Sequence, residues 1–275
     1  MLKIKRKSLL YKSGVEYADF SINHVEGCAH GCLYPCYAML MAKRFGRIKT
    51  YSDWRKPKLV SNALELLDKE IPKYKNEIKF VHLSFMTDPF MYGYKEVGDL
   101  SLQIIEKLNK NNIRTTVLTK GIYPKDLVDT NRYSPNNEYG ITLVSLDNMF
   151  KKKYECYTAP IEKRIAALKY LHKKGLKTWV SIEPYPPPKI VNQDLKKILK
   201  KISFVDKIIF GKLNYNVQTS AFKDNKSFYD GCALIVKYFC KKNNIKCHIK
   251  FGTQTVQEKT EIIFVKPVVC ITETE

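Results

Sequence analysis

Residues 79–119 read KFVHLSFMTDPFMYGYKEVGDLSLQIIEKLNKNNIRTTVLT. Residues 79–85, KFVHLSF, form a short apolar run of strand length. Leu100, Ile104, Ile105 and Leu108 then recur at helical spacing and make one apolar stripe. Residues 114–119, RTTVLT, are a second β-branched run. Strand, helix and strand in one unbroken stretch predict a βαβ unit, whose crossover sets the two strands parallel.

The same rhythm extends in both directions. Strands are expected at 19–24 (DFSINH), 140–146 (GITLVSL), 177–182 (KTWVSI), 206–211 (DKIIFG) and 246–250 (KCHIK). Helical stripes run through Ile161, Ile165, Leu168 and Leu171, closed by Gly175, then through Leu195, Ile198, Leu199 and Ile202. Cys232, Ile235, Val236, Phe239 and Cys240 make a last stripe, and residues 59–69 (LVSNALELLDK) predict a helix before the second strand. Residues 129–138 are polar and read as a loop, and Pro186, Pro187 and Pro188 as a rigid turn after a strand. Six or seven βα units predict an α/β fold, a full or partial TIM-like (β/α) barrel. An open doubly wound sheet competes, although no G-x-G-x-x-G or G-x-x-x-x-G-K-[ST] follows any strand. The expected organisation is a single domain over 1–275, with a core at about 19–250 and a C-terminal extension at 251–275. Its active-site loops would lie at the C-terminal ends of the strands.

Hydrophobic residues make up 44% and charged residues 27% of the 275, which excludes a disordered or collagen-like chain. Forty-eight Lys and Arg against 27 Asp and Glu leave a net charge of +21, so the surface attracts polyanions such as nucleic acid. The excess gathers at the N-terminus, at Lys151, Lys152 and Lys153, at 196–201 and at Lys241 and Lys242. With 18 Tyr and 13 Phe, the surface also has rings on which bases stack. No apolar run reaches the roughly 20 residues of a membrane span. The opening MLKIKRKSLLYKSG lacks an apolar signal region. We therefore expect a cytoplasmic, monomeric chain whose eight cysteines stay unpaired.

Three of those cysteines share one short loop, Gly27-Cys28-Ala29-His30-Gly31-Cys32-Leu33-Tyr34-Pro35-Cys36-Tyr37-Ala38. Three thiolates so close can hold three irons of a four-iron cluster and leave the fourth iron for a non-protein ligand. Ala29 and Gly31 let the loop curl around a bulky inorganic core. Zinc is the competing metal, with His30 as its fourth ligand. Three cysteines serving as small buried hydrophobes are a further alternative.

The loop resembles that of the radical S-adenosylmethionine (SAM) enzymes, and C-x-H-G-C followed by C-Y-A resembles the spore photoproduct lyase-like (DNA repair photolyase-like) branch. The resemblance runs on through Thr87-Asp88-Pro89 after the second strand, Thr119-Lys120 after the third and Val144-Ser145-Leu146 at the fourth. It includes Arg164 in its helix and the turn at Gly175, covering about residues 19–190. The spacing departs from the branch: C-x3-C-x3-C stands where C-x3-C-x2-C is usual. Pro35 takes the expected cysteine position, and the neighbouring aromatic moves to Tyr34. Phe85 and Met86 stand where spore photoproduct lyases place a hydrogen-donating cysteine, which argues against thymine-dimer splitting by that route.

The resemblance narrows the fold to a partial (β/α)6 barrel. It implies a 4Fe-4S cluster on Cys28, Cys32 and Cys36, reductive cleavage of SAM, and a 5′-deoxyadenosyl radical that attacks a nucleic acid or nucleotide-containing substrate. It implies SAM contacts from Thr87, Asp88, Lys120, Ser145 and Glu183, with Tyr34 or Tyr37 against the adenine, and an electron-donor protein as partner. The alternative for Asp88 is a turn-capping aspartate, and for Glu183 a loop ion pair. Cys156 is a candidate hydrogen-atom donor, the alternative being a loop cysteine with no role. Cys232, Cys240, Cys247 and Cys270 read as core. A zinc- or cluster-containing nucleic-acid binder without catalysis is the competing function, and a pure electron carrier a third.

Overall fold

In the computed structural model, residues 1–14 and 18–255 are described; Cys270 and residues 256–275 of the expected extension lie outside them. The chain opens with β1 (Leu2–Ile4), β2 (Leu10–Lys12), β3 (Phe20–Ile22) and β4 (Val25–Glu26), then α1 (Tyr37–Arg44), α2 (Tyr51–Trp54), β5 (Lys58–Val60) and α3 (Ala63–Tyr74). From there strand and helix alternate: β6 (Phe80–Leu83), α4 (Lys95–Lys110), β7 (Arg114–Thr119), a 3-10 turn (Lys125–Val128), β8 (Glu138–Thr142), α5 (Asn148–Tyr154) and α6 (Ile161–Lys173). The rest is β9 (Lys177–Tyr185), α7 (Leu195–Lys201), β10 (Lys207–Lys212), α8 (Val217–Ser220), α9 (Asn225–Lys242) and β11 (Lys246–Ile249).

Strands β3, β6, β7, β8, β9, β10 and β11 are parallel neighbours in that order, and β2 joins β3 antiparallel at one edge. Crossover helices between consecutive parallel strands, except β7 and β8, which a loop with a 3-10 turn connects, make this a partial, TIM-like α/β barrel, open between β2 and β11 among the described residues. The apolar stripes do what their spacing predicts. Ile104, Ile105 and Leu108 of α4 are wholly buried, as is Leu168 of α6. Each such side chain contributes roughly 1.5–3 kcal/mol, more than the fraction of a kcal/mol of intrinsic helix propensity, so packing holds these helices in place.

Side chains alternate across each strand. Val81, Leu83, Val117, Tyr139, Ile141, Val180, Ile182, Ile208 and Phe210 join the helix-side core. Their neighbours His82, Thr116, Gly140, Trp179, Ser181, Glu183 and Gly211 take the other face. That face is closed at the N-terminal end of the strands. Trp179 lies against Gly140, where any side chain would overlap the indole ring. Lys207 pairs with Glu138 and stands 5.2 Å from the Trp179 ring centre. The open end is therefore the C-terminal one.

Two expectations are corrected. Residues 59–69 are not one helix: Leu59 and Val60 belong to β5, which β1 flanks in parallel and β4 antiparallel in a separate small sheet, and the helix begins at Ala63. The fourth strand is Glu138–Thr142 rather than 140–146, because its register is set by Lys177 opposite Glu138. Leu143 adds one hydrogen bond to Ser181 at 2.9 Å, after which the chain leaves the sheet, so Ser145 stands in a loop. The fifth strand runs on to Tyr185 and takes Glu183 into the sheet.

Candidate active site

The cysteine loop begins where the chain leaves β4 through Gly27, at a φ of 82° that favours glycine. The Cys28 N–H donates to the Trp54 carbonyl at 2.8 Å. Gly31, at φ 50°, comes so close to α2 that a Cβ would stand 2.5 Å from the Tyr51 hydroxyl. That hydroxyl donates to the Gly31 carbonyl at 2.5 Å, and Arg55 Nε donates to the Ala29 carbonyl at 3.4 Å. Helix α2 thus backs the first half of the loop.

His30, buried in the same half, is fully engaged. Its Nε2 accepts the Tyr92 backbone N–H at 2.9 Å, so the ring proton resides on Nδ1, which faces Asp88 Oδ2 at 3.3 Å. Asp88 also accepts from the Thr119 hydroxyl at 2.6 Å, the Lys120 N–H at 2.7 Å and the Phe90 N–H at 3.0 Å. Burial pushes the Asp88 carboxyl up, but His30 and these donors outweigh it and hold the carboxyl below the usual range. Asp88 therefore ties the cysteine loop to the ends of β6 and β7. With both ring nitrogens of His30 in use, the zinc alternative lacks its fourth ligand. Among the described residues no three His, Cys, Asp or Glu side chains converge on a single metal ion.

The second half of the loop is held by residues that follow β8. The Leu33 N–H donates to the Tyr154 carbonyl at 2.8 Å. The Tyr34 hydroxyl donates to Glu155 Oε1 at 2.7 Å, and its ring stacks on Phe150 at 6.3 Å. Arg164 Nη2 donates to Glu155 Oε2 at 2.9 Å, and Lys120 Nζ stands 3.9 Å from Glu155 Oε1 and 5.3 Å from the centre of the Tyr34 ring. Burial works against the Glu155 carboxylate, yet Lys120 and Arg164 prevail and keep its pKa below the usual value. Burial pushes the thiols of Cys28 and Cys32 up, Cys32 to about 12 even with Lys120 opposing; Cys36 adds to the rise at both. Burial also disfavours the Lys120 ammonium, but Cys32, Glu155 and Cys36 hold its pKa above the ordinary lysine value. Cys28, Cys32, Cys36, Tyr34, Asp88 and Lys120 thus come together. As a donor set, three thiols on one loop, with Lys120 near Cys32 and Cys36, fit a multinuclear iron–sulfur core, which spreads its ligands over several irons.

The other expected residues are placed differently. Tyr34 is 5% exposed between Phe150 and Lys120, whereas Tyr37 is exposed. Thr87 donates to the Val25 carbonyl at 3.5 Å and lines a groove of about 550 Å³. Ser145, whose Oγ accepts the Asp147 N–H at 3.0 Å, follows Val144, which packs in one cluster with Cys32 and Tyr34. Glu183 stands on the open sheet face beside Gly211, 3.9 Å from Lys250. Cys156 follows α5 rather than the strand itself. Its thiol donates to the Lys152 carbonyl at 2.9 Å and lines a separate cavity of about 360 Å³ with Ala29, Arg55 and Tyr157.

Sequence reading missed the bridging work of His30, the backing by Tyr51 and Arg55, and Glu155. The signal for Glu155 is its isolation as the one acid in KKKYECY.

Comparison with known proteins accords with this geometry. Residues 22–202, more than half of the chain, match the Radical SAM superfamily. An uncharacterized protein of Methanocaldococcus jannaschii is 27% identical over 187 residues, covering 68% of each chain. An uncharacterized protein of Acidianus two-tailed virus is 26% identical over 199 residues, covering 69% of this chain and 64% of the viral one. The matches thus span about two thirds of these curated relatives. Spore photoproduct lyase complexed with dinucleoside spore photoproduct superposes with a TM-score of 0.65 at 13% identity, over 90% of this chain and 80% of that one. A variant of the lyase with bound AdoMet and the same photoproduct gives 0.64 at the same identity and coverage. The fold is shared with that lyase, and the non-catalytic nucleic-acid binder is set aside: the chain belongs to the radical SAM superfamily, enzymes that work with SAM and an iron–sulfur cluster.

Proposed function

We propose that Cys28, Cys32 and Cys36 would hold a four-iron, four-sulfur cluster and that SAM would bind beside it. The observation that carries this reading is the gathering of three thiols on one loop at the open end of a parallel sheet, with Lys120 beside Cys32 and Cys36. When bound, the cluster supplies one electron to the SAM sulfonium, which gives methionine and a 5′-deoxyadenosyl radical able to take a hydrogen atom from a substrate. Lys120 supplies the cation for the SAM carboxylate. Thr87 and Ser145 supply hydroxyls, Glu183 a carboxylate for the ribose, and Tyr37 a ring for the adenine. Asp88, already satisfied by four protein donors, fixes the loop. The Cys156 thiol, which donates to the Lys152 carbonyl and lines the separate cavity, is the candidate hydrogen donor.

The substrate we assign is a nucleic acid presented as a single strand or with its target base flipped out. The groove beside Thr87 carries Arg6, Lys7 and Arg47 for phosphates and Phe45 for bases. Tyr37 is 6.2 Å from Phe85 and 6.4 Å from Tyr215, an exposed group of rings at the mouth. An electron-donor protein would dock on the loop's outer side, where Leu33 is exposed.

Anaerobic reconstitution with iron and sulfide, followed by dithionite, tests the reading. The expected result is a brown protein that releases 5′-deoxyadenosine from SAM, with release abolished by Cys28→Ala, Cys32→Ala or Cys36→Ala. A cluster that reduces without 5′-deoxyadenosine would make the protein an electron carrier. Full activity in Cys36→Ala would refute the third ligand. RNA and single-stranded DNA should lose affinity by about 10³-fold or more between roughly 50 and 200 mM salt if six or more phosphates are contacted. No binding at low salt would send the search to protein or small-molecule substrates.

A further inference from the structure

We propose that Glu155 is a positioning residue: through Tyr34 it braces the lengthened second half of the cysteine loop, so that Cys36 stays in register with Cys28 and Cys32. The functional value of the brace rests on the reading above, but its existence does not. The loop carries three residues between Cys32 and Cys36, one of them Pro35. An added residue brings backbone freedom that something must remove. Between these two cysteines the described backbone bond to the rest of the fold is Leu33 to Tyr154. The other fixed point is the side chain of Tyr34.

Glu155 suits that work because it is itself immobile. It is 3% exposed, and Arg164, which grips it, is 1% exposed. The guanidinium also donates to the Ala159 carbonyl at 3.0 Å, the Thr142 carbonyl at 3.0 Å and the Thr158 hydroxyl at 3.2 Å. Four acceptors in different directions fix a planar fork completely. An ion pair serving only the core would give both carboxylate oxygens to Arg164. Here Oε2 goes to Arg164, and Oε1 goes 121 positions away in sequence to Tyr34. The bond is charge-assisted and buried, the kind that holds geometry best. The Phe150 ring on one side and the Lys120 ammonium over the ring complete the socket.

The test uses the apoprotein and hydrogen exchange. Tyr34→Phe keeps the ring, its volume and its stacking, and removes the hydroxyl with its bond to Glu155 and its contact with the Cys32 thiol. Glu155→Gln keeps an acceptor for the tyrosine. In Tyr34→Phe the amides of residues 33, 34, 36 and 37 should exchange about tenfold faster or more. Those of β7 and α6 should be unchanged. Glu155→Gln loses the charge but keeps the acceptor, so the same amides should quicken by less than in Tyr34→Phe. After reconstitution, Tyr34→Phe should lose iron to a chelator faster by a similar factor. Unchanged loop exchange in Tyr34→Phe would overturn the brace, and so would a rise spread evenly over the whole fold. A wild-type chain that takes up no iron while Tyr34→Phe still loosens the loop would sink the enzymatic reading and leave the brace standing.

Discussion

The two halves of the cysteine loop are held by different physics. From Cys28 to Cys32 the anchors are short and local in kind: backbone bonds to α2, a tyrosine hydroxyl, and a neutral His30 between Tyr92 and Asp88. From Leu33 to Cys36 the anchor is a buried ion pair that reaches in from beyond β8. The first half keeps the spacing usual for the branch the sequence resembles, and the second departs from it. Where the loop keeps that spacing, glycine geometry and several contacts from adjoining segments hold it, charged Arg55 and Asp88 among them. Where it is one residue longer, a single buried ion pair supplies the constraint. A buried pair is a costly device, since its desolvation offsets most of its attraction. Its presence here points to a need for fixed geometry rather than for stability.

The largest expected effect comes from breaking that pair. Glu155→Ala leaves Arg164 charged, buried and unpaired, and should cost about 3–5 kcal/mol in urea unfolding. Arg164→Ala should cost the same, and the double variant less than the sum of the two. Additive losses would show that the two residues do not act together. On the other side, His30→Ala leaves the Tyr92 N–H and one Asp88 oxygen short of a partner, worth about 1–3 kcal/mol. Equal losses on both sides would erase the contrast between the halves.

Acid separates them further. His24, at the root of the first half, is wholly buried between Ser101 at 2.7 Å and Ser84 at 3.2 Å. Burial, aided by Arg6, pushes its pKa down to about 3, and burial does the same to His82. Between the ordinary value near 6.5 and about 3, the unfolded chain holds protons that the folded chain refuses. Stability therefore falls as pH drops, by up to roughly 1.4 kcal/mol per histidine for each pH unit. Asp88 and Glu155 have depressed values, so their contributions are lost in the same direction but only as pH falls below about 4.5. Loosening should thus start at the first half near pH 6. His24→Gln should flatten the upper part of the curve, measured as urea midpoint against pH. A curve with no loss above pH 5 would refute the histidine account.

Much of this was legible in advance. The seven parallel strands announced themselves because each is a β-rich run set off by a helical stripe or, between the third and fourth, by a polar loop. The small sheet did not: β1, β4 and β5 are two or three residues long, and Leu59 and Val60 continue the apolar spacing of Leu66 and Leu67. Pairing of Lys58 with Leu2, far off in sequence, overrode that periodicity. The three cysteines were readable because they share nine residues. Glu155 was not, because a brace is defined by a partner that only folding brings near. Asp88 stood out by its motif, but its work, four donors from three separate segments, shows only in the fold.

The smallest effect tests how far the first half depends on α2. That helix is only four residues long, and its start is fixed by a capping box: Thr50 Oγ1 accepts the Asp53 N–H at 3.1 Å and the Asp53 carboxylate accepts the Thr50 N–H at 2.7 Å. Helix α2 and the residue after it present the Tyr51 hydroxyl, the Trp54 carbonyl and Arg55 to the loop. Thr50→Ala removes one side of the box and should cost about 1 kcal/mol, within the 0.5–2 kcal/mol typical of caps. The stability change is modest, but its location is what matters. If α2 is the backing of the first half, exchange should quicken at the amides of Cys28 and Gly31, which bond to Trp54 and Cys28 carbonyls. The amides around Tyr34, held from the other side, should keep their wild-type rates. Equal quickening of both would show one loop moving as a unit and dissolve the distinction between its halves.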